Sequence, residues 1–175
     1  MKASDDWDGE SLGWDHVPQL AALACLTLVS ATALVGQVIA PGARSGIGVR
    51  LDPLSAVLTL LVAGIGTVTF VYSVRYLEGH PARRRFLRLL TLTVVSAYLL
   101  MCSTHLVLLF AAWAATSLGL HGLLTIDPSR REAIRPARKK FLISRLGDLA
   151  LIGAIALIYH SAGTFDLNVV MANVG

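Results

Sequence analysis

Phe141-Leu-Ile-Ser-Arg145-Leu-Gly-Asp148-Leu-Ala-Leu-Ile-Gly-Ala-Ile-Ala-Leu-Ile-Tyr159 sets an arginine and an aspartate into a run that is otherwise almost wholly apolar. As a helix rising about 1.5 Å per residue, this stretch just crosses a hydrocarbon core of about 30 Å. An ionised side chain at the centre of such a helix costs about 2.5–3.5 kcal/mol on insertion scales, so it is rarely accidental. Arg145 and Asp148 stand three residues apart on one helical face, where each neutralises the other. A paired charge inside a membrane helix points to an ion or proton path.

The rest of the chain agrees with a membrane setting. Of its 175 residues 55% are hydrophobic and only 15% charged, and its mean hydropathy is +0.67, which excludes an ordinary soluble domain. Aromatics make up only 7%, so the apolar content is the aliphatic kind that lipid-facing helices favour. A net charge of +4 would suggest nucleic acid in a soluble protein. Here the positive charge sits in short loops between apolar spans, so topology accounts for it and no nucleic-acid partner is expected. Cys25 and Cys102 lie in apolar runs without metal-ligand spacing and read as small buried hydrophobes.

The fold expected is all-α: a polytopic transmembrane bundle of five helices, over Pro18–Ala40, Leu54–Tyr76, Phe86–Ser103, Leu106–Ile126 and Phe141–Tyr159. Asp52-Pro53 marks the start of the second span and Pro41-Gly42 the end of the first. In the second span Ala63 and Thr67 make a small-xxx-small pair, a weak packing signal because it lacks the two glycines of the stronger motif. The domain division is an acidic tail over residues 1–16, the transmembrane span region over 17–167 and a short end over 168–175. The tail carries five acidic residues against Lys2, so it is no signal peptide and reads as solvated.

Basic residues set the orientation. With five spans, twelve of the fifteen Lys and Arg fall on the side of the N-tail and only Arg44 and Arg50 on the other, Arg145 being within a span. The bias puts the N-terminus in the cytoplasm and the C-terminus outside. Arg83-Arg84-Arg85 reads as a topology anchor. Lys139 and Lys140 run straight into the charged helix, where a long side chain could reach Asp148 or feed protons toward it. His121, near the same end of the fourth span, is the side chain best suited to proton exchange near neutral pH. The proton-path candidates are therefore Arg145, Asp148, Lys140, Lys139 and His121. His105 and His160 read as solvated, and Thr116 and Ser117 as hydroxyls bonded to their own helix.

These residues carry a resemblance. Leu51-Asp52-Pro53-Leu54-Ser55, Phe110-Ala-Ala-Trp113, and Lys140-Phe141 through Ser144-Arg145-Leu146-Gly147-Asp148, followed by Gly163-Thr164-Phe165-Asp166-Leu167, resemble the antiporter-like membrane subunits of respiratory complex I and Mrp-type sodium/proton antiporters. Ala112-Trp113-Ala114-Ala115-Thr116-Ser117-Leu118-Gly119-Leu120-His121 and Ala137-Arg138-Lys139-Lys140-Phe141 are most similar to the membrane subunit of DAB-type inorganic carbon accumulation complexes. In complex I relatives a glutamate of the proton half-channel follows the tryptophan that matches Trp113; here Ala114 takes its place, which fits the DAB branch better. Family members are several times longer, so the chain reads as an N-terminal portion or one piece of a split subunit.

The resemblance implies a non-enzymatic transport subunit of the cell inner membrane, embedded in the lipid bilayer. It would couple proton flow to carbon dioxide and bicarbonate accumulation by a large soluble carbonic-anhydrase-like partner. No cofactor is expected in this chain, and zinc only in that partner. The alternatives are a proton-translocating subunit of an NADH-quinone oxidoreductase, and a truncated anchor without transport activity.

Overall fold

The computed structural model describes residues 16–39, 44–46, 49–126 and 131–174. All but His16 of the acidic tail, and the loop over 127–130, lie outside them. The order is α1 (Val17–Ile39), a hairpin of β1 (Arg44–Gly46) and β2 (Val49–Leu51), α2 (Pro53–Tyr76), α3 (Arg83–Cys102), α4 (Leu106–Leu124), α5 (Arg131–Ala162) and α6 (Leu167–Val174). Five helices are long and apolar enough to cross a membrane, within a residue or a few of the expected spans. The membrane-length part of α5 is Lys139–Ala162. Its helix starts earlier than the apolar pattern implies, at Arg131, and runs through Pro136. Periodicity locates the apolar part of a helix and not a polar extension of it. The hairpin and α6 are too short to show as apolar spans and were not expected.

Each helix packs on its neighbour in sequence, as short connections dictate. Asp52 caps α2: its Oδ1 accepts a 2.7 Å hydrogen bond from the Ser55 backbone N–H, and Pro53 follows at the first helical position. The Ser55 hydroxyl, then that N–H, hold the Asp52 carboxyl below the usual carboxylate range. In the α1–α4 bundle Leu23, Phe70, Leu87, Leu90 and Val94 form one core and Ala63, Tyr98 and Cys102 another. The hydroxyls of Ser30 and Tyr98 lie 3.2 Å apart across α1 and α3, pairing two polar groups that lipid could not satisfy. The outward faces are apolar, with Val68 71% and Leu157 74% exposed, the reverse of a soluble protein. Cys102 is buried as expected, but Cys25 is exposed on α1. In a membrane helix an apolar side chain has no need of the interior, so hydrophobicity alone could not place it.

The hairpin, the α3/α4 turn and the α5/α6 turn are knit into one end of the bundle. Val49 pairs with Ser103 and His105 with Asp166 as isolated bridges. The Leu106 N–H donates to the Phe165 carbonyl (2.9 Å), the Leu167 N–H to the Thr104 carbonyl (2.8 Å), and Arg50 to Asn168 (3.1 Å). His105 is half-buried against Phe165 rather than free in solvent, whereas His160 is exposed. The opposite end carries the α2/α3 loop and the start of α5, and with them most of the basic residues.

Close helix approach rests on small residues. A Cβ built on Gly66 would fall 2.5 Å from a Val94 methyl of α3, and Ala63, one turn earlier, is fully buried. The Thr67 hydroxyl of the small-xxx-small pair donates to the Ala63 carbonyl of its own helix; the close approach is made at Ala63 and Gly66, and Gly64 meets nothing within 4 Å. Gly66→Ala should destabilise the bundle by about 1–3 kcal/mol through overpacking. Gly64→Ala should be neutral or mildly stabilising. Denaturant titration of the two variants in mild detergent checks the contrast.

Candidate functional site

The site is built where α4 crosses α5. On α5 the residues Phe141, Arg145 and Asp148 follow at i, i+4 and i+7, which places them along one helical face. Asp148 is nine residues inside the start of the membrane-length part of α5, about 13 Å along its axis and so near mid-membrane. Arg145 Nη2 lies 2.8 Å from Asp148 Oδ2, with side-chain exposures of 37% and 7%. The expected pair is therefore formed, with the carboxylate as its buried member.

The second partner of Asp148 is Trp113 on α4, whose Nε1–H donates a 3.0 Å hydrogen bond to Asp148 Oδ1. The carboxylate is thus held from its own helix by a cation and from the neighbouring helix by an indole. In the sequence Trp113 stands out only as part of a motif, without a role. An N–H-bearing aromatic in the middle of an aliphatic helix was the available signal, because lipid offers an indole N–H no acceptor.

Toward the basic end, the Arg145 guanidinium lies over the Phe141 ring at 5.0 Å, and the Phe141 ring packs against His121 at 4.8 Å. Thr116, within the same helix as Trp113, donates to the Ala112 carbonyl as expected of a helix-bonded hydroxyl. From that end inward the seam therefore presents His121, Phe141, Arg145 and then Asp148 with Trp113. Lys139 is exposed and Lys140 half-buried, and neither makes a polar contact with a described residue. Lys140 is eight residues from Asp148, about 12 Å along the helix, so the expected direct reach to Asp148 is not made. Arg145 holds that place.

Beyond Asp148 the seam changes character. Val107, Phe110, Ile152, Ile155, Ala156, Tyr159 and Phe165 line an open apolar groove of about 360 Å³ between α4 and α5, with Tyr159 stacked on Phe165 at its far end (4.3 Å between rings). The polar row thus runs from the basic end to the membrane middle and stops. No group of three or more His, Cys, Asp or Glu that could hold a metal occurs among the described residues.

Comparison with known proteins places this architecture. A family model described as the complex I (NADH-ubiquinone oxidoreductase) chain 5 N-terminus matches residues 39–87, and one described as the NADH:quinone oxidoreductase/Mrp antiporter transmembrane region matches residues 103–174. A probable inorganic carbon transporter subunit DabB of Hydrogenovibrio crunogenus is 36% identical over 131 residues, covering 74% of this chain and 25% of the relative. The NADH-quinone oxidoreductase subunit L of Mycobacterium tuberculosis is 33% identical over 135 residues, covering 77% of this chain and 21% of the relative. The chain thus spans about a quarter of the length of the curated relatives it matches. The structure of respiratory complex I from Thermus thermophilus with bound aureothin superposes with a TM-score of 0.61 at 24% identity, over 87% of this chain and 37% of that one, and shares the fold.

The pair's energetics can be tested without any activity. Asp148→Asn leaves Arg145 uncompensated, and breaking a buried pair from one side costs about 3–5 kcal/mol, whereas replacing both members by apolar residues is close to neutral. Immunoblots of membranes should show Asp148→Asn depleted and the double change Arg145→Leu with Asp148→Leu near parental levels. Equal accumulation of all three would show that the pair contributes nothing to folding.

Proposed function

The chain belongs to the antiporter-like membrane-subunit family of complex I and the Mrp antiporters, and we propose that it supplies the proton-conducting entry half of an inorganic carbon accumulation complex. The observation that carries this reading is the one-sided polar row: His121, Arg145 and Asp148 lead from the basic end to mid-membrane, and an apolar seam follows. A proton delivered along such a row comes to rest on Asp148, which Trp113 and Arg145 hold in place. His121 receives the proton from the basic end. Lys139 and Lys140 act in this reading as a charged rim at the mouth, since neither touches the pair.

Three features favour carbon accumulation over quinone-linked pumping. The strings around Trp113 and Arg138–Asp148 resemble the DAB branch, and Ala114 stands where complex I relatives carry a channel glutamate. The relative named as an inorganic carbon transporter subunit is also slightly more similar than the quinone oxidoreductase subunit. The partner in this reading is a large soluble carbonic-anhydrase-like protein that holds the zinc, hydrates carbon dioxide and takes its driving force from the proton flow. The basic end faces the cytoplasm of a cell inner membrane, as the bias of positive loops implies, so the partner docks there.

A photo-crosslinking residue at His80, exposed in the α2/α3 loop, should capture a large soluble zinc protein from intact cells, and one at exposed Ser161 should not. Capture of redox subunits at His80 would replace this reading by the quinone-linked one. Capture of the zinc protein at Ser161 would invert the topology.

A further inference from the structure

The first turns of α3 run against helix electrostatics. Arg83, Arg84 and Arg85 open the helix and Arg88 follows, with no acid in the first turn and no side-chain cap on it from Ala82. A helix N-terminus is the positive end of the macrodipole and favours carboxylates, and like charges three or four residues apart repel. Arg85 and Arg88 are three apart on one face, both exposed, and neither makes a polar contact with a described residue. The Nε of half-buried Arg83 is shielded and has no hydrogen-bond partner. Orientation in the membrane asks for cations on this side, but not for four of them in two turns of one helix. The cluster calls for an anion.

The chain carries that anion within reach. Residues 1–15 hold Asp5, Asp6, Asp8, Glu10 and Asp15 against Lys2 alone, five of the chain's eleven acids. Two of its three tryptophans, Trp7 and Trp14, stand beside acids in the same stretch, and an indole face attracts a guanidinium. The stretch runs straight into α1, and α1 starts beside α3. Leu20 in the first turn of α1 and Phe86 in the first turn of α3 pack against the same core, which holds Leu23 and Leu87. Tethering there gives the tail carboxylates an effective concentration on the order of millimolar at the arginines. Anionic lipid is the rival anion, but it is offered to every cation on that side, and the negative leaflet repels the tail from the lipid surface. We infer that the exposed arginine face of α3, Arg85 with Arg88, is the docking surface of the chain's own acidic segment, Asp5 to Asp15. That segment lies outside both family matches, over 39–87 and 103–174. Backbone pairing closes the far end of the bundle; the tail closes this one by charges that salt screens. A soluble partner arriving at the α2/α3 loop, as proposed above, would displace the tail, but the contact does not depend on that partner.

Double electron–electron resonance on the full chain in bilayers tests this, with spin labels at Ser11→Cys and at Glu78→Cys in the exposed α2/α3 loop. Cys25→Ser removes the exposed native cysteine, and Cys102 is buried. At 0.1 M salt the distance distribution should be narrow. It should broaden at 1 M, where the screening length falls from about 10 Å to about 3 Å. Arg85→Gln with Arg88→Gln should broaden it at low salt. So should Arg85→Glu with Arg88→Glu, and adding Asp5→Lys, Asp6→Lys and Asp8→Lys to that chain should make it narrow again. Both arginines are exposed and are two of twelve basic residues on their side, so fold and orientation survive the changes. A broad distribution in the parent, a narrow one in the double Gln chain, or no recovery in the charge-swapped chain would overturn the inference. So would a distribution that is narrow in phosphatidylcholine and broad once phosphatidylglycerol is added, which would give the arginines to anionic lipid.

Discussion

A carboxylate at mid-membrane must be neutralised and hydrogen-bonded or it does not stay, and most of what distinguishes this chain follows from how Asp148 meets that demand. Arg145 supplies the charge from one turn away at 2.8 Å, and Trp113 supplies the hydrogen bond from the neighbouring helix at 3.0 Å. The first contact is local to α5 and would form in an isolated helix. The second cannot form until α4 and α5 pack, so it ties helix docking to the placement of the charge. α5 otherwise presents apolar side chains such as Leu142, Ile143, Leu146 and Leu149 outward, and this hydrogen bond is one directional link between it and α4, beside the His121–Phe141 ring contact.

The other four spans hold together on a different principle. With no hydrophobic gain from leaving lipid for protein, α2 and α3 depend on close approach, at Ala63 and at Gly66 against Val94. α3 and α4 do the same at Gly119, where an added Cβ would collide with the Thr93 hydroxyl. The far end is closed by backbone pairing among the hairpin, the Ser103–His105 turn and the Phe165–Leu167 segment. The result is a bundle tied together at one end by backbone pairing, with the charged α4/α5 seam leading from the other.

Much of this was legible in the sequence. Apolar length and the Pro and Asp punctuation gave the five spans, because a membrane forces helices to close their own backbone hydrogen bonds. The i, i+3 spacing gave the Arg145–Asp148 pair, because local geometry fixes it. What sequence could not give was anything requiring two helices to meet. Trp113 as a partner of Asp148 depends on the α4/α5 crossing, and so does the contact of His121 with Phe141. Lys140 looked able to reach Asp148 only because proximity in sequence says nothing of a helix's rise. Gly66 could not be told from Gly64, since which of two neighbouring glycines faces α3 is a matter of rotation.

The central claim is that Asp148 carries protons rather than merely balancing Arg145, and the double change to leucine separates the two roles because it removes the titratable group without stranding a charge. Proton flux measured by a pH-sensitive dye, in proteoliposomes of the full-length assembly carrying Arg145→Leu with Asp148→Leu at normal protein levels, is the decisive reading. The account predicts that flux is lost although the assembly forms. Flux equal to that of the parent would contradict it and leave the pair as a device for docking α5.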